Sequence, residues 1–389
     1  MSALILSYFL AALARDPIQQ PLVEIVSSQP LVLVGVLISE NGTVVVGTLR
    51  GSTGQQYFAF SRVLPQSTHV DSERTFNYFD RWSVEPSTAF AREQGSNFVW
   101  IWPECPGVRS VIQSRRFTFD LGAQPAQVVK GLLPEVCSRP DLDVSAIADR
   151  HAAVAWSTQT NAGAAVIYER RVAPSADASG ETITVGSENL VTYSNPVIAL
   201  DNQHRVTVVW ERAYQGTRYV WARRFSSDAT SVAGSQIESL ASSADSPDVA
   251  TMGDGRHVIT WVAYPPVTPR PETFLQAFDA AGSRVGAAIA VSATTQKSVF
   301  APAVAVSEQG QILSVSLEKG DDGANVVLHR FQFPTQRIGS AMTLSTSNAA
   351  LNGPKVAINY HGTKWVVAWP ESRPHGMAIV VARGDLPGN

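Results

Sequence analysis

The amino-acid sequence predicts an all-β fold, a seven-bladed β-propeller of four-stranded antiparallel blades, on three observations. A strand pattern of alternating apolar positions ends in a large residue seven times, at Leu49, Trp102, Trp156, Trp210, Trp261, Leu317 and Trp369. Successive anchors lie 53, 54, 54, 51, 56 and 52 residues apart, a regularity expected of a chain built from repeated supersecondary units. Flanking segments recur in the same step, and the two ends of the chain supply complementary pieces of one unit.

The anchor strands read VVGTL, FVWIW, AAVAW, VTVVW, HVITW, LSVSL and WVVAW, and their period of two marks strands rather than helices. Upstream lies a second strand, NPVIAL from Asn195, SPDVAT from Ser246, APAVAV from Ala301 and GPKVAI from Gly353. A polar Gly/Asp/Asn turn joins it to the anchor strand as a hairpin. Downstream come RYVWARRF from Arg218, TFLQAFD from Thr273 and VVLHRFQF from Val326, then short strands such as AAIAVS from Ala287 and AMTLS from Ala341. Residues 60 to 85 match the repeat least well. The last unit stops after its third strand near Ala378 to Arg383, whereas PLVEIVSS, from Pro21 to Ser28, precedes the first unit's own inner strand. Residues 22 to 27 are therefore expected to complete the last blade and close the ring, which removes two exposed sheet edges.

Composition agrees with one repeat-built domain over residues 21–389. The 389 residues are 44% hydrophobic and 16% charged, with 27 Gly and 23 Pro to supply turns. Thirty basic residues against thirty-three acidic ones leave a net charge of −3; this gives no electrostatic footprint for nucleic acid or an anionic membrane. Residues 1–14, MSALILSYFLAALA, have the apolar run and Ala-Leu-Ala ending of a signal peptide, although no basic residue precedes the run. The run is shorter than the ~20 residues that span a bilayer as a helix. An extracellular, periplasmic or cell-surface location follows from that reading, with no integral membrane segment. Cys105 and Cys137 are expected to share one face of the ring and to form a disulfide, which fits secretion; two free buried thiols would fit a cytosolic protein.

The fifth unit carries Pro247, Val249, Ala250, Asp254, Gly255, Val258, Trp261, Gln276, Phe278, Asp279, Gly282, Gly286 and Val291 in order. This series resembles the Pro-x-Val-Ala, Asp-Gly, Val-x-Trp, Gln-x-Phe-Asp-x-x-Gly repeats of bacterial extracellular β-propeller and surface-repeat proteins. The resemblance extends loosely from about residue 22 to the end and implies architecture rather than activity. Boxes of sialidases, WD repeats, kelch repeats and Asp-rich calcium loops are absent from the sequence.

Candidate site residues follow from the same frame. Trp100, Trp102, Trp156, Trp210, Trp261, Trp365 and Trp369 are read as core, because large aromatics fill the wedge between neighbouring sheets; Trp82 and Trp221 fall outside the anchor strands. Glu104, Glu211, Glu318 and Glu371 follow the anchors on one face, with Arg212 and Arg373 beside two of them. Paired carboxylates can cleave glycosides at a separation of ~5 to 9.5 Å, but the favoured reading of these residues is repeat-derived salt bridges and turn hydrogen bonds that order the loops. The irregular loops ERAYQGTR from Glu211 and VAYPPVTPRPE from Val262 add Tyr214 and Tyr264, which suit a carbohydrate or a protein ligand. His151, His204, His257 and His361 lie near the inner hairpin turns of different units and are expected to be too far apart to share a metal ion. No metal or other cofactor is expected.

The leading functional expectation is a secreted or surface-associated, monomeric, non-catalytic propeller that binds a carbohydrate or protein partner. A polysaccharide-acting hydrolase or lyase is the alternative, and a structural module of a larger assembly the third reading.

Overall fold

In the computed structural model of the chain, the residues described are 22–51, 57–77, 88–93, 97–104, 111–130, 142–147, 149, 151–159, 164–172, 178–228, 230, 237–238, 243–265, 270–292, 297–321, 323–345, 353–374 and 376–386. They form an all-β propeller with no helix. The strands fall into seven antiparallel sheets. Sheet one is Leu31–Ile38, Val44–Arg50, Tyr57–Val63 and Ser72–Asn77, so the stretch that matches the repeat least well still builds two regular strands. Sheets two to five repeat the pattern from Ala89, Leu142, Thr192 and Ala244. Sheet six, from Ser298, pairs both Gln336–Arg337 and Met342–Ser345 with its third strand.

Sheet seven settles the ring-closure expectation. Its chain order begins with Lys355–Ile358, Lys364–Arg373 and Gly376–Asp385, and its outer strand is Val23–Ser27 from the other end of the chain. Val23 faces Val381 and Ser27 faces Met377 across an antiparallel ladder. Val23 and Ile25 are buried while Glu24 and Val26 point outward, the alternation that one packed face imposes.

Seven apolar clusters lie between consecutive sheets. One joins sheets six and seven through Leu317, Trp365 and Trp369; another joins seven back to one through Val23, Val44, Val366 and Ile379. All seven anchor residues, and all seven tryptophans expected in the core, are buried. Trp221 is partly buried against the cluster between sheets three and four. Trp82, residues 1–14, Cys105 and Cys137 lie outside the described residues. Between sheets one and two the packing is aromatic, with Phe58 stacked on Trp100 at 4.7 Å and Trp100 on Trp102 at 4.1 Å. The Phe90 ring fits there because Gly35 and Gly47 carry no side chain: a Cβ on Gly47 would lie 2.4 Å from it.

Two devices adapt the ladders to the ring. The inner strands of sheets four, five and six each bulge before a proline, at Asn195, Ser246 and Ala301, which have φ of 46°, 51° and 46°. Proline has no N–H for the ladder, so a bulge accommodates it. Near the axis, side chains bridge adjacent inner strands: the Ile198 amide donates to Asp143 Oδ2 at 2.9 Å, Leu200 to Ser145 Oγ at 3.0 Å, and Val304 to Asp248 Oδ2 at 2.8 Å.

Candidate functional site

The candidate residues lie on both sides of sheet four, where it meets sheets three and five, on the face that carries the turns after the anchor strands. In sheet four the strand Val206–Tyr214 turns through Gln215 and Gly216, at φ of 49° and 81°, and returns as Thr217–Phe225. A two-residue turn with both φ positive matches the twist of a hairpin. Strand alternation then divides the sequence Glu-Arg-Ala-Tyr: Glu211 points to one side, Arg212 and Tyr214 to the other.

Arg212 is locked in place. Its Nη2 donates to Glu188 Oε2 at 2.7 Å, and its guanidinium lies 5.3 Å from the Tyr214 ring and 5.2 Å from the Trp221 ring. Glu188 also accepts the Tyr193 hydroxyl at 2.9 Å. The Arg212 hydrogen bond holds the Glu188 carboxyl below its ordinary range, while burial and the Glu188 carboxylate push the Tyr193 phenol up.

Glu211 is buried and accepts from Ser194 Oγ at 3.1 Å, Asn195 Nδ2 at 2.7 Å and the Ser246 amide at 2.7 Å. It thus ties the bulge of its own sheet to that of sheet five. A carboxylate so fully engaged is a positioning group between blades.

Sheet five supplies Tyr264 and Asp245. The Tyr264 hydroxyl donates to Asp245 Oδ2 at 3.1 Å, and Arg218 Nη1 of sheet four lies 3.5 Å from the same oxygen. Burial, then the Asp245 charge, pushes the Tyr264 phenol up to about 12, so it keeps its proton at neutral pH. Tyr214 and Tyr264 are each 38% exposed, and the Arg218 side chain is 58% exposed. Tyr264 and the loosely held Arg218 guanidinium therefore flank the junction of sheets four and five, while the open Tyr214 ring lies with Arg212 on the other side of sheet four, toward sheet three.

The other candidates sit apart. Glu318 of sheet six is buried and pairs with His329 Nε2 at 3.1 Å; Arg337 Nη1 donates to His329 Nδ1 at 2.9 Å, so Nε2 carries the proton given to Glu318. Burial is the largest influence and opposes ionisation of Glu318, but His329, through its hydrogen bond and charge, together with Ser292 and Lys297 outweighs it, and the carboxyl lies below its ordinary range. Glu371 of sheet seven accepts from Ser345 Oγ and pairs with Arg373, which also binds Glu24 of the closing strand. The Glu104 side chain lies outside the described residues. Among the described residues no two of these glutamates share a hydrogen-bonding partner, so a convergent carboxylate pair is not assembled.

The histidines depart from expectation. His257 is buried, stacks on Phe278 with centroids 5.0 Å apart, and has a pKa brought down to about 4 by burial; it belongs to the core rather than to the hairpin turn. His361 is exposed beside Tyr360. His151 and His204 are not far apart: their ring centroids are 4.3 Å from each other. The ring spacing that separates distant blades does not separate neighbouring turns.

A cavity of about 170 Å³ lies on the axis, with Ser145, Leu200 and Thr251 of the inner strands in its wall and Arg92, Glu308 and Tyr360 also lining it. Sequence reasoning missed Glu188, Tyr193, Asp245 and Arg218. The one available signal was that the polar residues Asp245 and Ser246 precede Pro247 where the bulge begins.

No known family model matches the chain, and no curated protein matches it in sequence. Solved structures do match in shape. The polysaccharide lyase Uly1 superposes with a TM-score of 0.54 at 9% identity, over 91% of this chain and 90% of that one. A PL25 polysaccharide lyase, an ulvan lyase, gives 0.55 at 10% identity over 94% of both chains. A protein of unknown function from Dyadobacter fermentans gives 0.50 at 10% identity, over 94% and 98%. At such identities the likeness shows the propeller fold.

Proposed function

We propose that the chain is a secreted or surface-associated propeller that binds and cleaves an acidic polysaccharide, with the junction of sheets four and five as its sugar-binding face. The observation that carries this reading is the meeting of the exposed Tyr264 and Arg218 at Asp245 Oδ2 of one junction, with the exposed Tyr214 ring on the other side of the same sheet-four hairpin. Aromatic faces suit the apolar faces of sugar rings, and an exposed guanidinium suits a sugar carboxylate. Tyr264, protonated at neutral pH, offers a hydrogen-bond donor to a sugar oxygen in exchange for its bond to Asp245. Arg212, Glu188 and Glu211 position this surface. The likeness in shape to two polysaccharide lyases supports elimination over hydrolysis.

The seven sheets act as the seven blades of a single ring-shaped domain over residues 21–389, working as a monomer outside the cytosol. Residues 1–14 serve as its export signal, and Cys105 pairs with Cys137. A second reading, of a binder without turnover, is favoured by one observation: Glu211, Glu318 and Glu371 are each committed to separate partners.

Affinity for uronate-containing and neutral polysaccharides, measured by calorimetry on the wild type and on Arg218→Ala and Tyr264→Phe, tests the face. The reading expects a preference for the acidic polymer that Arg218→Ala removes. Equal binding of both polymers by wild type and variants would refute it.

A further inference from the structure

We propose that Asp149, His151 and His204 form a divalent transition-metal site that joins the hairpin turns of sheets three and four, on the face opposite the sugar-binding junction. His204 sits at φ of 59° in a turn fixed by Asp201, whose Oδ1 accepts the Gln203 and Arg205 amides at 2.9 Å each. In sheet three the His151 amide donates to Asp149 Oδ1 at 3.0 Å, which folds that turn around its own carboxylate. The two turns are neighbours in the ring, and this brings Asp149 Oδ2 to 2.6 Å from His204 Nε2 and Asp149 Oδ1 to 2.8 Å from His151 Nδ1. One ligand atom from each of the three residues lies within 4.8 Å of the others.

The hydrogen bond between His204 Nε2 and Asp149 Oδ2 accounts for only part of this grouping. His151 Nδ1 is shielded from solvent yet makes no well-aligned hydrogen bond, despite the carboxylate beside it. A cation held by the two imidazole lone pairs and the carboxylate uses all three groups at once. Two nitrogens and one oxygen form a borderline donor set, which suits zinc rather than calcium or magnesium. Bonds of ~2.0 to 2.2 Å to a tetrahedral ion set ligand atoms somewhat farther apart than they now stand; the Asp149 side chain, 45% exposed, is free to withdraw. Because the ligands come from two blades, the ion would staple sheet three to sheet four and stabilise the folded state by mass action. Asp254 and Arg256 occupy the corresponding positions in sheet five, so the site is particular to this junction and not a property of every repeat.

The full chain, stripped with a chelator and dialysed, is titrated with zinc chloride by calorimetry and, separately, with cobalt chloride by visible absorption. The expected result is saturable binding of one ion per chain, a rise in Tm of several degrees with zinc but not with calcium, and the intense visible bands of tetrahedral cobalt. His204→Ala and Asp149→Asn, both on exposed turns, should abolish the saturable phase and the cobalt bands while leaving the far-ultraviolet circular dichroism unchanged. Should either variant misfold, His204→Gln, which keeps side-chain bulk and loses the imidazole, provides the same comparison. Absence of saturable zinc binding to the wild type, or binding that persists unchanged in the folded variants, would overturn the proposal. Sugar binding is read independently and does not depend on either outcome.

Discussion

Glu211 shows how a repeated residue can look catalytic and be architectural. Its carboxylate is buried and accepts three hydrogen bonds across two blades, and buried acceptors removed from their donors leave those donors unsatisfied. Glu211→Ala is expected to destabilise the fold by about 2–4 kcal/mol, with Glu211→Gln costing less, in denaturant unfolding. Sugar binding per folded molecule should persist in the Gln variant. A second residue-scale expectation concerns the hub. Burial in the axial region pushes Asp143 up to about 7, and the nearby Asp248 charge reinforces the shift. Its folded value lies above the unfolded one, so the stabilising contribution of the neutral form is complete below pH 3.8 and is lost as pH rises through about 7. Asp143→Asn keeps an oxygen acceptor for the Ile198 amide without the charge. It should stabilise the protein at pH 8 by roughly 1–3 kcal/mol and change little at pH 3, as urea midpoints at the two pH values will show.

Strands were the part of this molecule most open to reading in sequence. Anchors such as Trp210 and Leu317 repeat because each fills the same wedge, and that physical demand writes a period-two pattern into every unit. The contacts that define the candidate site are of another kind. Glu188 meets Arg212 from the preceding blade, Asp245 meets Arg218 from the following one, and His204 meets Asp149 across two turns. Such pairs depend on the angle between blades, which no local pattern encodes. Hence Arg212, Tyr214 and Tyr264 could be picked out as loop residues, while their partners could not, and the spacing argument misjudged His151 and His204. At the element scale, Gly47→Ala should force the Phe90 ring out of the cluster between sheets one and two, at a cost of about 1–3 kcal/mol. Thermal melts monitored by tryptophan fluorescence will register it.

For the whole molecule, the ring is closed by a strand of five residues from the beginning of the chain against one near its end. Removing residues 22–27 exposes the edge of Gly376–Asp385 and opens the apolar cluster that holds Val23 and Ile25, so the truncated protein is expected to aggregate, which sedimentation can follow. The ring also fixes the proposed sugar-binding face: Tyr264 and Arg218 stand at the junction where Glu211 ties the bulges of sheets four and five together. The most direct test of the central claim is product analysis after incubating the full chain with a uronate-containing polysaccharide, following unsaturated sugar by ultraviolet absorbance and new reducing ends in parallel. Shortened chains with unsaturated ends, lost in Arg218→Ala and reduced in Tyr264→Phe, are the predicted result. Intact polymer after prolonged incubation with several uronate-containing polysaccharides would contradict it.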